Sequence, residues 1–202
     1  MTRQRNFAEA MINRRSYYSI SNASPVSDKE IEDIVRMALE HVPSAFNSHS
    51  TRLVLLLGEH HRKLWQIVKD QLRKRLPEEL YRQSEQKIDR SFACGYGTVL
   101  FFEERAVVEA LQAKFPTYRD NFPVWSQHTS AMHQFAVWTM LEDCGLGASL
   151  QHYNPLIDHD VRLAWHLPES WQLVAQMPFG TPAALPQPKE PDAADDRLKI
   201  FF

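Results

Sequence analysis

The chain has 202 residues, 44% hydrophobic and 24% charged, which is the composition of an ordinary globular protein with enough residues for one domain. A formal net charge of -2 gives no support to nucleic-acid binding, which needs a basic excess on one face. The N-terminus lacks the apolar stretch of a secretory signal, and no apolar run approaches the roughly 20 residues of a membrane helix. We therefore expect a soluble cytoplasmic protein, with Cys94 and Cys144 as buried free thiols.

Helical and strand patterns alternate along the first half of the chain. The clearest helix begins after Ser27, which can cap it together with Glu30, and Pro43 ends it. Apolar residues recur on one face of this helix, so that face is expected to be buried. Continuous apolar runs elsewhere predict strands that are covered on both faces. The other elements predicted here are a strand at 51–58, helices within 64–72 and 78–92, and a strand at 97–103.

The second half contains the most apolar helix of the protein. It is predicted from about Ser126 to Cys144, with Gly145 as its C-terminal stop, and its apolar residues cover more than one stripe. We therefore expect this helix to be buried nearly all round. The neighbouring predictions are a helix near 105–114, a loop at 117–125, a short helix near 158–166 and a strand within 171–180.

The C-terminal tail, residues 181–202, is too rich in proline to form a helix, yet it ends in the apolar sequence LKIFF. We expect such a tail to wrap over the fold and dock its end, on this subunit or on another. No internal repeat and no linker divides the chain. The predicted elements fit a single α+β domain over residues 1–202, with a central sheet and helices on both sides.

The usual signatures of catalytic side chains are missing from the sequence. It contains no glycine-rich phosphate loop, no G-x-S-x-G turn and no H-E-x-x-H motif. Its nine histidines match no standard metal-ligand spacing, so no metal site is expected. Two carboxylate pairs, Glu103 with Glu104 and Asp195 with Asp196, are interpreted as solvated edges.

Three loops have the character of binding segments. The sequence RRS at 14–16 combines two guanidinium groups with a hydroxyl, which suits a phosphate, although adjacent arginines are commonly plain surface charge. PSAFNSHS at 43–50 offers Ser and Asn side chains that can hold the polar edge of a planar heterocycle or merely cap a turn. In GLGASLQHYNP at 145–155, glycines permit close approach to a ligand, or only a tight exit from the helix.

In this order along one chain, the three loops resemble the FMN-dependent nitroreductase family. The closer resemblance is to the subgroup of the fungal fatty-acid-repression-mutant protein and its bacterial relatives, through GTVLFFE, WQLVAQMPFG and above all VWSQHTSAMHQFAVWTMLEDCGLGASLQHYNP. The resemblance implies a nitroreductase-like α+β fold whose central sheet is mostly antiparallel. It also implies an intertwined homodimer with an extended C-terminal arm and one FMN at each of two subunit interfaces.

The resemblance further implies which residues contact FMN. The phosphate would be bound by Arg14, Arg15, Ser16 and a basic residue of the tail, preferably Arg197 and otherwise Lys189. The flavin ring would be contacted by Ser44 and Asn47 from across the subunit interface and by Lys87 at its pyrimidine side. The backbone around Leu150, Gln151 and His152 would also lie beside the ring.

Tyr18 is also an expected contact of FMN, and it is a departure from the family pattern. Many nitroreductases carry Lys or Arg two positions after the motif serine, near the pyrimidine edge of the flavin, and here that position is Tyr18. A cation there would stabilise negative charge on the reduced flavin, so the reactivity of the flavin is expected to differ from that of the standard enzymes.

The implied activity is that of a NAD(P)H-dependent oxidoreductase with ping-pong kinetics. NADH or NADPH gives a hydride to N5 of FMN, and a nitroaromatic or quinone-like acceptor then takes the same place, so no catalytic side chain is required. Lack of a dinucleotide-binding fingerprint favours transient binding of the nicotinamide. The alternatives are a flavin-binding regulatory protein of lipid or redox stress signalling with little turnover, and a helical interaction protein. Candidates to line the substrate pocket, or else to fill the core, are Phe46, Phe122, Trp125 and Tyr153.

Overall fold

The strands of the protein form one sheet, in which every strand pair among the described residues is antiparallel. A computed structural model describes residues 6–188 and 197–202. The strand order is β1-β5-β3-β2, and the short β4 also pairs with β5. The mostly antiparallel α+β fold predicted from the sequence is therefore confirmed. The strands are β1 (Ile20–Ser21), β2 (Thr51–Leu57), β3 (Gly97–Glu104), β4 (Gly147–Ala148) and β5 (Trp171–Pro182).

Seven α-helices surround this sheet in the part of the chain that the structure describes. The predicted capping box is present, since Ser27 accepts from the backbone N–H of Glu30 and the Glu30 carboxylate accepts from that of Ser27. No helix among the described residues is long and apolar enough to cross a membrane. The helices are α1 (Phe7–Asn13), α2 (Asp28–His41), α3 (Gly58–Arg73), α4 (Glu78–Ile88), α5 (Arg105–Lys114), α6 (Asn121–Asp143) and α7 (Asp158–Trp165).

Side chains of β3 alternate between two hydrophobic clusters, one on each face of the sheet. Val99 and Phe101 pack with α2 and α6, whereas Leu100 and Phe102 pack with α3 and α7. All eight residues of β3 are buried, as expected for a central strand whose sequence is apolar at successive positions. Helices therefore cover both faces of the sheet. The extent of the domain over all of residues 1–202 stays a prediction.

Two predictions about α6 are wrong. The segment 117–125 is not all loop, because α6 already begins at Asn121, and Pro123 is accommodated at its third position, where the backbone N–H has no partner within the helix. The helix is also not buried all round in a single chain, since Met132 and Phe135 are 41% and 38% exposed. The stop at Gly145 is confirmed, with a φ of 80°.

The two cysteines are free thiols, as predicted, but they are half-buried rather than buried. The Cys94 thiol donates to the carbonyl oxygen of Ile20, at 3.3 Å. Burial raises the pKa of both the Cys94 and the Cys144 thiol, so the reactive thiolate form of each is disfavoured.

Gly180 lies where β5 is crowded by neighbouring backbone, and its substitution should be costly. A Cβ at this position would lie 2.1 Å from the carbonyl oxygen of Ser21. Because both groups belong to paired strands, neither can move aside alone. We expect Gly180→Ala to lower the free energy of unfolding, measured by urea denaturation, by about 3 kcal/mol or more.

Gly145→Ala is the matched control for this substitution. Gly145 has a positive φ, but the nearest atom to a Cβ there is Pro25 Cγ at 3.7 Å. Its replacement should therefore cost only the backbone strain, about 1 kcal/mol. Equal losses for the two variants would show that steric crowding at Gly180 is unimportant.

Candidate functional site

The two arginines of the N-terminal segment line a cavity of about 630 Å³, together with residues 184–187. Arg15 Nη2 donates to the carbonyl oxygen of Gln187 at 2.7 Å, which holds the start of the tail beside the arginines. The Arg14 guanidinium lies 4.3 Å from the ring centroid of Trp138 on α6. Burial and the charge of Arg15 both lower the pKa of Arg14. Two like charges in a partly buried setting favour an anion between them.

Backbone hydrogen bonds bring two of the three predicted loops together. The Tyr17 N–H donates to the carbonyl oxygen of Ala148 at 2.9 Å, directly beside Ser16. Gln151 exchanges two backbone bonds with Gln176 of β5, at 2.7 and 2.9 Å. The RRS segment and the segment after α6 therefore lie side by side at β5. Among the predicted contacts, Gln151 is buried, Leu150 is half-buried and His152 is exposed.

Gly147 shows why the loop after α6 needs a glycine. A Cβ there would lie 2.7 Å from Cγ of Tyr17, inside the van der Waals distance. The close contact between the two segments therefore depends on the missing side chain.

Tyr18 and Lys87 meet at one aromatic ring. The Tyr18 and Phe92 ring centroids are 6.3 Å apart, and Lys87 Nζ lies 5.8 Å from the Phe92 centroid. Tyr18 also lines the cavity of the arginines and is 51% exposed. Lys87 of α4 thus places a positive charge near the position at which the sequence has Tyr18 instead of a cation.

The third loop, residues 44–49, has an unusual backbone conformation. Phe46, Asn47 and His49 have φ values of 54°, 51° and 48°, in the left-handed region that residues other than glycine rarely adopt. The Ser44 hydroxyl accepts from the His49 N–H at 3.0 Å and closes the loop. Strained backbone of this kind is concentrated at functional sites.

Phe46 projects from this loop onto an aromatic cluster at the beginning of α6. Its ring is stacked on Trp125, with centroids 5.8 Å apart and an interplanar angle of 17°. An open apolar cavity of about 550 Å³ lies beside the pair and is also lined by Met132. Phe122 is buried beneath Phe46 and supports the cluster. The cluster consists of Phe46, Phe115, Tyr118, Phe122 and Trp125.

These groups form two separate half-sites on one chain. Arg14 contacts Trp138 and Phe46 contacts Trp125, which is 13 residues earlier on α6. At 1.5 Å per residue, the two tryptophans are about 20 Å apart along the helix axis. Tyr153 belongs to neither half-site, because it packs in the core on Trp65, at 5.9 Å between centroids. Burial raises the pKa of Tyr153 to about 12.

The predicted tail contacts are described only in part. Lys189, Asp195 and Asp196 lie outside the described residues. Arg197 is exposed and begins the terminal segment 197–202. The participation of a tail residue in phosphate binding stays a prediction.

The interpretation of Glu103 and Glu104 as solvated edges is wrong. They are only 1% and 9% exposed, because β3 remains between its neighbours to its end. Glu104 caps α5 by accepting from the Ala106 N–H at 3.3 Å. Glu103 pairs in register with Thr51, and burial raises the pKa of Glu103. Two adjacent carboxylates at the end of a predicted strand do not indicate burial from sequence alone, because the burial depends on pairing with a strand that is distant in the sequence.

Among the residues described, no group of three His, Cys, Asp or Glu side chains is placed to hold a metal ion. The site instead consists of guanidinium groups, hydroxyls, backbone and aromatic rings. This set can hold a phosphate and a planar ring system.

The single antiparallel sheet between two helical layers is the fold of nitroreductases. A model of the nitroreductase family matches residues 11–181, and the chain belongs to this family of flavin-dependent oxidoreductases. Two relatives from Saccharomyces cerevisiae are similar over almost the whole chain. The putative nitroreductase HBN1 is 37% identical over 91% of each chain, and the nitroreductase FRM2 is 34% identical over 91% of this chain and 92% of its own.

A solved structure supports the same assignment. Nitroreductase CinD from Lactococcus lactis, in complex with nicotinic acid, is 39% identical, with a TM-score of 0.89 over 98% of this chain and 100% of its own. CinD has also been solved with chloramphenicol and with 4-nitrophenol. The resemblance noted from the three loops is therefore confirmed.

Proposed function

We propose that the protein is a homodimeric FMN-dependent NAD(P)H oxidoreductase that reduces nitroaromatic or quinone-like acceptors. The observation that carries the proposal is the separation of the two half-sites on one chain. A second copy would bring the loop of Ser44 and Asn47 to the cavity of Arg14 and Arg15, which lie about 20 Å apart along α6 within one chain.

The residues of the first half-site fit FMN. The phosphate is a dianion at neutral pH, and two guanidinium groups with the Ser16 hydroxyl form a donor set suited to it. A cavity of about 630 Å³ lies in the range of cofactor pockets. The arginines and Ser16 would form a phosphate clamp, and the backbone of residues 150–152 continues from it along β5. Lys87 provides a cation on the same side.

Exposed apolar side chains on α1 and α6 support the homodimer. Phe7 and Ile12 are 67% and 73% exposed, and Phe7 packs edge-on against the partly exposed Phe135 at 6.5 Å. A second copy that covers this face would bury its apolar surface. The mainly apolar α6 would then lie at the centre of the dimer.

FMN held by these residues would supply the redox chemistry that connects the nicotinamide to the acceptor. The side chains of this protein would bind and orient the cofactor and the acceptor and would exclude water from them. The stacked Phe46 and Trp125 rings offer an aromatic surface for a planar acceptor or for the pyridine ring of NAD(P)H. The pyridine and nitroaromatic compounds bound to CinD have the shape that such a surface accepts.

The test is to titrate the purified protein with FMN and then reduce it without oxygen. We expect a yellow protein with one FMN per chain, a dimer by light scattering, loss of the 450 nm absorbance with NADH or NADPH, and its recovery with a nitroaromatic. Failure to take up FMN would refute the proposal. FMN uptake without reduction by either nucleotide would favour the regulatory alternative. The cytoplasmic location stays a prediction.

A further inference from the structure

We propose that Glu103 is a positioning residue that holds the loop of residues 44–49 in the shape needed to reach a flavin bound by the second copy. The inference rests on the proposed function and assigns a role to a residue that touches neither the phosphate clamp nor the aromatic cavity. It follows from what Glu103 contacts at the base of the loop.

The Glu103 carboxylate is buried and uses both of its oxygens on the residues that follow the loop. Oε2 accepts from the Ser50 hydroxyl and Oε1 from the Thr51 hydroxyl, both at 2.6 Å. The N–H of Glu104 donates to the carbonyl oxygen of Ser50 at 2.8 Å. Residues 50 and 51 are therefore fixed through side chains and backbone at once.

Internal hydrogen bonds of the loop run from the Asn47 and Ser48 N–H groups to the carbonyl oxygens of Ser44 and Ala45, in addition to the His49 bond described above. The anchor at Glu103 fixes the C-terminal end of this loop to the sheet. Three of its residues have positive φ without being glycine, so the free segment would relax to another conformation. Bonds at its end also oppose relaxation, since Arg52 Nη1 donates to the His49 carbonyl oxygen at 2.6 Å. Ser48 and Ser50 hydroxyls are 3.5 Å apart and continue the chain of contacts from Glu103 into the loop.

Burial of a carboxylate costs free energy of desolvation, so two hydroxyls could be joined at a lower cost if only stability were required. Burial raises the pKa of Glu103, whereas the two hydroxyls and the nearby Arg52 lower it. The groups that oppose the effect of burial all belong to residues 50–52. Holding those residues sets the direction in which Ser44, Phe46 and Asn47 project.

Glu103→Gln is the direct test, because the amide keeps the size of the side chain but replaces one acceptor oxygen with a donor. One of the two hydroxyls then loses its acceptor and can only accept from the amide N–H instead. We expect a Kd for FMN at least five-fold higher than in the unmodified protein and a changed visible circular dichroism of bound FMN. Ser50→Ala, which removes a donor at the other end of the same bonds, should change that spectrum in the same direction.

The matched control is Glu104→Gln, which neutralises the adjacent buried carboxylate at the cap of α5. It should leave the Kd and the flavin spectrum unchanged even if it lowers the melting temperature. If the unmodified protein binds FMN and Glu103→Gln or Ser50→Ala binds it with the same Kd and spectrum, the role of Glu103 is refuted alone. If the unmodified protein binds no FMN, the proposed function fails. An equal spectral change in Glu104→Gln would also overturn the inference, because it would reduce the effect to general destabilisation.

Discussion

Replacing Arg14 or Arg15 with alanine should raise the Kd for FMN by about 10- to 100-fold in each case, with the fold retained. A charge-assisted hydrogen bond contributes about 1.5–3 kcal/mol, and each 1.4 kcal/mol is a factor of ten in Kd. Both side chains line the same cavity, so each should contact the phosphate. Flavin fluorescence during titration gives the Kd, and far-ultraviolet circular dichroism reports the fold.

Besides weakening FMN binding, replacement of the two arginines should disturb different neighbouring contacts. Arg14 lies over Trp138, so its replacement also exposes that ring, whereas Arg15 holds the tail through Gln187. Arg14→Lys keeps the charge but not the planar fork, and its Kd should fall between those of the unmodified protein and Arg14→Ala.

Arg36→Ala is the charge-matched control, because Arg36 is exposed on α2 and pairs with Glu32. It removes the same positive charge away from the cavity and should leave the Kd unchanged. An Arg14→Ala, Arg15→Ala double variant that retains FMN like the unmodified protein would mean that the arginines are ordinary surface charge, the alternative that the sequence alone leaves open.

The elements of the fold were predictable where local pattern determines them. The capping box at Ser27 and Glu30 and the stop at Gly145 depend on residues within one turn, and both are present. Apolar residues at successive positions of β3 predicted cover on both faces, which the two hydrophobic clusters provide. Such signals need no knowledge of distant residues.

Features set by distant residues were not predictable in this way. Glu103 is buried because its strand pairs with β2 and because Ser50, 53 residues earlier, supplies a donor. The positive φ values of Phe46 and Asn47 could not be predicted, because neither residue is a glycine. The order of the three loops indicated one site, whereas the structure places the contacts of Arg14 and Phe46 with α6 about 20 Å apart along the helix.

His61 should make the stability of the protein depend on pH between about 4 and 6.5. Its Nε2 faces the carbonyl oxygen of Ala93 at 3.2 Å, which can only accept, so Nε2 carries the proton. Nδ1 then accepts from the Thr98 hydroxyl at 2.8 Å, and the Thr98 oxygen accepts from the Trp65 indole N–H at 3.1 Å. This chain of bonds requires a neutral ring, and burial lowers the pKa of His61 to about 4.

The direction of the effect follows from the two pKa values. In the unfolded chain the ring takes up a proton near its ordinary pKa of about 6.5, whereas in the fold it does so only near 4. The contribution to stability is therefore complete above pH 7 and is lost as the pH falls from about 6.5 to 4. It amounts to about 3 kcal/mol, since one pKa unit is worth about 1.4 kcal/mol. Urea denaturation at a series of pH values measures this loss.

The test compares the unmodified protein with His61→Gln, which cannot take up the proton. The free energy of unfolding of the variant should start lower at pH 7 and fall less on acidification, so the two curves converge by about 3 kcal/mol. His128→Gln, which removes an exposed histidine of α6, should run parallel to the unmodified protein. If the curve of His61→Gln also runs parallel to that of the unmodified protein, the His61 ring has the same pKa in the folded and the unfolded chain. The hydrogen bonds of the neutral ring through Thr98 would then contribute nothing to the loss of stability at low pH.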